Sequence, residues 1–176
     1  MTARDAFERG TNSFNAHDIQ GFRAVLTDDV VFEAPGARGL GKAACAEFFG
    51  SWFATFPDAH VEVNNVQFFD DMAVEEGTFT GTHHGVLSTP TGDIPPTGRS
   101  VQVDYIQVIR FRHGKHSSFH LAFDRLLMLE QLGLMPAPVV GTYLPDLNAG
   151  LVLKGKPRFG TNNSKGTTQE RTNYEQ

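Results

Sequence analysis

Cysteine is nearly absent from this chain: one residue in 176, Cys45. A single thiol excludes an intrachain disulfide and fits a reducing compartment. It lies in the small-residue stretch Ala43 to Ala46, so an inert, buried thiol is expected rather than a nucleophile. No apolar run approaches the length of a membrane-spanning helix. The first ten residues carry charge where a signal peptide would need an apolar core. A cytoplasmic protein with no membrane partner is therefore expected. Basic residues are also in deficit, 15 Lys and Arg against 20 Asp and Glu, for a net charge of −5. That balance argues against nucleic acid as a partner. There is no Gly-rich phosphate cradle, no Gly-x-Ser-x-Gly elbow and no paired-Cys motif, so nucleophilic catalysis has no obvious agent.

What the chain does have is phenylalanine, 15 residues against 3 Tyr and 1 Trp. Such usage suggests an aromatic-lined core or pocket. The length suits one domain with an appendage. Residues 1–136 carry the periodic patterns, and 137–176 read as a C-terminal extension, partly packing and partly flexible.

Hydrophobic spacing predicts helices over 3–15, 19–26 and 42–56 and a short strand over 30–34, with 38–41 as a loop. The third helix carries Phe48, Phe49, Trp52, Phe53 and Phe56, of which Trp52, Phe53 and Phe56 are candidate pocket aromatics. The period then changes to two. Strands are expected over 59–69, 72–84, 100–112 and 115–124, with a Gly- and Pro-rich loop at 85–99 and a closing helix after Asp124. Helices first and then an antiparallel meander imply an α+β fold, with helices covering one face of a curved sheet.

Two strands carry the candidate chemistry. On the strand 72–84, Gly77, Phe79, Gly81 and His83 share a face, as a wall cleared for something flat or as a sheet allowed to bend. On the strand 115–124, Ser118, His120, Ala122 and Asp124 share one face and Phe119, Leu121 and Phe123 the other. Asp124 is either the N-cap of the closing helix or a carboxylate poised as a base, and the two roles are compatible. No metal site is expected: His83 and His84 are adjacent on a strand and point to opposite faces, and the other histidines lack zinc-ligand spacing.

The runs Gly77 to Gly85, Pro95 to Arg99, Arg110 to Lys115, Phe123 to Leu126 and Leu129 to Leu134 resemble the SnoaL-like polyketide cyclases of the nuclear-transport-factor-2-like superfamily. Phe14 to Asp18 and Asp28 to Phe32 resemble that superfamily as well. The resemblance spans roughly residues 3–136. It implies a conical cavity and a cofactor-independent intramolecular aldol condensation on a small hydrophobic or aromatic carbonyl substrate. By motif the general acid/base falls on Asp124, with His83 in the same pocket. Where family members often have an acidic residue and a Trp, this chain has Ser118 and His120. His83, His120 and Tyr105 are candidate donors to the oxyanion, and Phe79 a wall residue. Two alternatives stand beside this. One is a non-catalytic binding or oligomerisation module, pairing as a homodimer or higher homo-oligomer through the sheet face. The other is a further enzyme of the same fold: an isomerase, a dehydratase, or an epoxide hydrolase using Asp104 and Asp124, with Gln102 where an Arg would be wanted.

Overall fold

The structure, a computed structural model, describes residues 1–89 and 92–135. The expected extension at 137–176 lies outside the described residues. The chain divides into two units after Ala137, and the helices and strands among the described residues belong to the first, Met1–Ala137.

Helix α1 (Ala3–Asn15) begins at a capping box. The Thr2 hydroxyl accepts from Asp5 N–H at 3.1 Å, and the Asp5 carboxylate accepts from Thr2 N–H at 2.9 Å. Two otherwise orphaned donors are thus satisfied reciprocally. Its far end is tied to the sheet by Asn15, whose amide exchanges two hydrogen bonds with the Val61 backbone at 2.8 and 2.9 Å. Helix α2 (Ile19–Ala24) comes after its cap Asp18. Helix α3 (Gly41–Thr55) is aromatic on two sides. Phe49 and Phe53 meet Phe14, and Phe49 meets Phe22, while Phe48 and Trp52 reach Phe32 and Phe79 of the sheet.

Strands β1 (Leu26–Ala34), β2 (Ala37–Leu40), β3 (His60–Phe68), β4 (Met72–Thr82), β7 (Ser100–Arg112) and β8 (Lys115–Phe123) form one six-stranded sheet in the order β2-β1-β8-β7-β4-β3. The sheet is curved and unclosed, with the helices against its inner face, as expected for the nuclear-transport-factor-2-like cone. A short hairpin of β5 (Leu87–Thr89) and β6 (Gly92–Ile94) lies within the Gly- and Pro-rich stretch, and helix α4 (Arg125–Gln131) closes the unit.

The β5–β6 hairpin replaces part of the expected loop at 85–99, and three further details depart from the sequence expectation. The sheet is not a pure meander, because β1 runs parallel to β8. Residues 37–40, most of which fall in the expected loop 38–41, pair with β1 as an edge strand across the turn at Pro35 and Gly36, where Gly36 has φ +82°. The first strand also starts four residues early, at Leu26, which is fully buried.

A further irregularity sets the face of β8. Arg110 pairs with Ser118, but the next residue, Phe111, pairs with His116, leaving Ser117 as an extra residue. A bulge of this kind reverses the alternation on one side of it. His116 therefore points inward with Phe119, while His120, four residues on, points outward. Among the described residues no helix is long and apolar enough to cross a membrane.

Candidate active site

Between α1, α3 and the inner face of the sheet lies a cavity of about 120 Å³. One water needs roughly 10–15 Å³ of such space, so there is room for a small organic guest. The walls are mostly rings and aliphatic side chains, including Phe14, Phe48, Phe49, Trp52, Phe79, Phe119 and Phe123. Its polar lining is short, Thr11, Glu75, Tyr105, Gln107 and His116, and among the described residues no Lys or Arg lines it.

Glu75 is the centre of that polar group. Strict alternation along β4 turns Ala73, Glu75, Gly77, Phe79 and Gly81 inward. The antiparallel register sets Glu75 opposite Gln107, and Gly77 opposite Tyr105, on β7. The Tyr105 hydroxyl donates to Glu75 Oε1 at 2.5 Å, and Gln107 Nε2 donates to Oε2 at 3.1 Å. Glu75 is only 3% exposed. Burial pushes its carboxyl above the usual carboxylate range, and the two hydrogen bonds oppose that shift without cancelling it. The Tyr105 phenol is pushed up as well, first by burial and then by the neighbouring carboxylate.

Gly77 explains how the pair fits. A Cβ there would stand 2.5 Å from the Tyr105 ring and 2.7 Å from the Glu62 carbonyl oxygen. The glycine therefore makes room for Tyr105 on the cavity wall. Gly81 does the same for Phe56, whose Cβ would be 3.1 Å away. The wall suspected of being cleared for a flat guest is occupied by the protein's own rings at these two points.

His116 is a third buried ionisable group of the cavity, beside Glu75 and Tyr105. Burial pushes its imidazole down to about 4, against the opposing effect of a hydrogen bond with the Ala6 backbone. Its Nε2 has no partner among the described residues and stands beside Gly10. It is a neutral side chain at neutral pH.

The residues expected from sequence are dispersed. Tyr105, Phe79 and Trp52 line the cavity. Phe56 is fully buried and packs on Trp52 and Phe79 from behind. Phe53 turns the other way, stacked on His17 at 4.4 Å. His83 is fully buried but does not line the cavity. Its Nδ1 meets the Thr97 hydroxyl at 3.1 Å and the Thr97 N–H at 3.3 Å, and its ring packs on Phe56. It pins the stretch before β7 to the end of β4; burial lowers its pKa.

Asp124 caps α4. Its Oδ1 accepts from Leu127 N–H at 2.9 Å, and its side chain is exposed and outside the cavity lining. The cause is local: Phe119, Leu121 and Phe123 take the inward face of β8, so residues 120, 122 and 124 take the outward one. His120 lies on that outer face, with Nδ1 4.0 Å from Glu33, which also pairs with Arg38. These residues rim a shallow cleft that shares Ala34, Pro35, Leu121 and Phe123 with the cavity. Asp104 and Asp124 form no pair: Asp104 accepts from Thr78 at 2.8 Å on the outer face of the sheet. Cys45 is fully buried, and burial pushes its thiol up to about 12. Among the described residues no cluster of His, Cys, Asp and Glu has the makings of a metal site.

Glu75, Gln107, His116 and Thr11 are the polar site residues that sequence reasoning passed over. For Glu75 a signal existed, since the alternation that selected Gly77 and Phe79 includes Glu75 on the same face. An inward acid on a strand otherwise lined by Ala, Gly and Phe is an expensive placement.

Residues 7–119 match the SnoaL-like domain family, which is most of the described unit, and the chain belongs to that family. No match is found among curated proteins. Solved structures share the fold. IdmH of Streptomyces antibioticus, a proposed polyketide cyclase, has a TM-score of 0.64 at 22% identity, over 76% of this chain and 99% of that one. A proposed SnoaL-like polyketide cyclase from a Jannaschia species gives 0.66 at 19%, over 76% and 93%. AclR of Streptomyces galilaeus, a proposed hydroxylase, gives 0.65 at 22%, over 76% and 97%. At these identities the likeness carries the fold, and the fold hosts several chemistries.

Proposed function

We propose that this protein is a cofactor-independent acid/base enzyme. In this reading it removes a proton from carbon beside a carbonyl in a small apolar substrate, and Glu75 is the base. The observation that supports it is a carboxyl group buried in a ring-lined cavity, raised in pKa and held at both oxygens. A base poised nearer neutrality is what proton abstraction from carbon demands.

The donors at hand define the steps. The Glu75 carboxylate takes the C–H proton, and the bonding electrons pass to the carbonyl oxygen as an enolate. Once protonated, Glu75 no longer requires the Tyr105 hydroxyl, which is then free to turn its O–H toward the enolate oxygen. In a cyclase the enolate carbon attacks a second carbonyl of the same molecule. A carbon–carbon bond forms, and the new alkoxide recovers the proton from Glu75. The apolar walls exclude water and fold the substrate for attack.

Asp124 and His83, the pair the family resemblance implies, have a smaller part in this reading. Asp124 keeps its cap role, and His83 braces the wall through Phe56. A substrate-independent assay tests the assignment. A cyclic aryl ketone is incubated with the protein in D₂O, and exchange at the α-carbon is monitored by NMR. Exchange above the buffer rate that is lost in Glu75→Gln supports the reading. Exchange lost in Asp124→Asn but kept in Glu75→Gln contradicts it.

A second reading, a binding module without chemistry, is favoured by one observation. Both Glu75 oxygens already have donors, as in a satisfied structural network. It predicts guest binding with no exchange at all.

A further inference from the structure

Charge is distributed one-sidedly in the cavity. Among the described residues, only Glu75, Tyr105 and His116 of its lining groups are ionisable, and no Lys or Arg lines it. Tyr105 holds its proton, because burial and the adjacent carboxylate both push the phenol up. His116 is kept neutral by burial, and its free Nε2 offers no positive charge. Among the described residues, the single formal charge the cavity can carry is therefore negative, on Glu75, and no counter-cation lines the cavity. A carboxylate has about four acceptor positions, and Tyr105 and Gln107 use two. The surrounding walls include the rings of Trp52, Phe48, Phe79 and Phe123, and the face of an aromatic ring attracts cations.

We propose that the cavity sorts its guests by charge: it takes a protonated amine on a compact apolar body in preference to the matching alcohol, and it turns away the matching carboxylate. The ammonium group supplies the missing counter-cation and up to three N–H donors to the free acceptor positions of Glu75. The apolar body packs among the rings. A carboxylate guest would set a second negative charge beside Glu75 in a space of low polarity, with no cation to offset either. The inference rests on the cavity being the ligand site, and it does not require Glu75 to be catalytic. Protonated amines occupy the place of the carbonyl substrate and compete with it.

Trp52 is the chain's single tryptophan and lies in the cavity wall, so its fluorescence reports a guest there. The full chain is titrated at neutral pH with cyclohexylammonium, cyclohexanol and cyclohexanecarboxylate, recording Trp52 emission and heat of binding. Cyclohexylammonium is expected to bind about tenfold or more tightly than cyclohexanol, with the carboxylate undetectable. In Glu75→Gln the advantage of the amine disappears while cyclohexanol still binds. Equal affinity of amine and alcohol in the unaltered protein overturns the proposal and leaves the cavity as a ligand site. Binding of none of the three overturns both. Carboxylate binding on a par with the alcohol, or an amine preference that survives in Glu75→Gln, also overturns it. The unaltered protein decides by itself if the variant does not fold.

Discussion

Two carboxylates, one within β4 and one just past the end of β8, have opposite surroundings. Glu75 sits mid-strand on β4, facing inward, 3% exposed, with Tyr105 and Gln107 on its oxygens. Asp124 sits at the end of β8, facing outward, exposed, with a backbone N–H of α4 on one oxygen. Burial moves the carboxyl of Glu75 upward, toward the range where a base exchanges protons with carbon. The acid at the conspicuous strand-to-helix junction does a structural task, and the acid hidden in an ordinary-looking strand has the chemical environment. A carboxylate's position in a motif and its position relative to the pleat are separate facts, and the pleat decides which one meets a guest.

The largest expected effect breaks the comparison at its chemical end. On any carbonyl substrate that the protein turns over, Glu75→Gln is expected to lower kcat by about 10²–10⁴-fold, the usual contribution of a general base. Asp124→Asn should stay within a few-fold, as steady-state kinetics on both variants would report. Comparable losses from both substitutions would erase the distinction.

Stability against pH sharpens the contrast between inside and outside on β8. His116 is inward, and its pKa falls from an ordinary 6.5 to about 4 in the folded state. The unfolded chain therefore binds a proton between those values that the folded chain refuses. Its contribution to stability is present above pH 6.5 and is lost as pH falls toward 4, by roughly 3 kcal/mol at most. Glu75 acts with the opposite sign. Its pKa is raised on folding, so its contribution is full below the unfolded carboxylate value and is lost as pH rises through the folded one. Urea unfolding across pH 4–8 should show the acid-side loss flattened in His116→Gln and the loss on the alkaline side of the carboxylate range flattened in Glu75→Gln.

Smaller effects come from single hydrogen bonds. Tyr105→Phe leaves Glu75 with Gln107 alone, at an expected cost of about 1–3 kcal/mol for an under-satisfied buried group, and it raises the Glu75 pKa further. Asp124→Ala removes the α4 cap and is expected to cost about 0.5–2 kcal/mol. Thermal or urea denaturation measures both. An Asp124→Ala loss in activity that exceeds its loss in stability would return that residue to the chemistry.

Much of the fold was legible in the sequence because its signals are local. Helical spacing predicts the span 3–15 of α1, and alternation with the His113-Gly114 turn predicts strands over 100–112 and 115–124, against Ser100–Arg112 for β7 and Lys115–Phe123 for β8. The parallel pairing of β1 with β8 and the edge strand at 37–40 were not legible, because they depend on which segments meet in space. The site divides the same way. Tyr105, Phe79 and Trp52 could be named from pattern. The outward aim of Asp124 was also implicit, since Phe119, Leu121 and Phe123 claim the opposite face. The inward turn of His116 was not, because it needs the extra residue at Ser117. The Glu75–Tyr105–Gln107 contact required the cross-strand register, which no single strand contains.

The central claim is tested most directly by a carboxyl titration. Carbon-13 labelling of the glutamate side chains, observed by NMR from pH 3 to 9, resolves each carboxyl. The account predicts one glutamate titrating above the ordinary range, absent from the Glu75→Gln spectrum, and shifting when cyclohexanol is added. Ordinary titration of every glutamate, with no response to a guest, would contradict it.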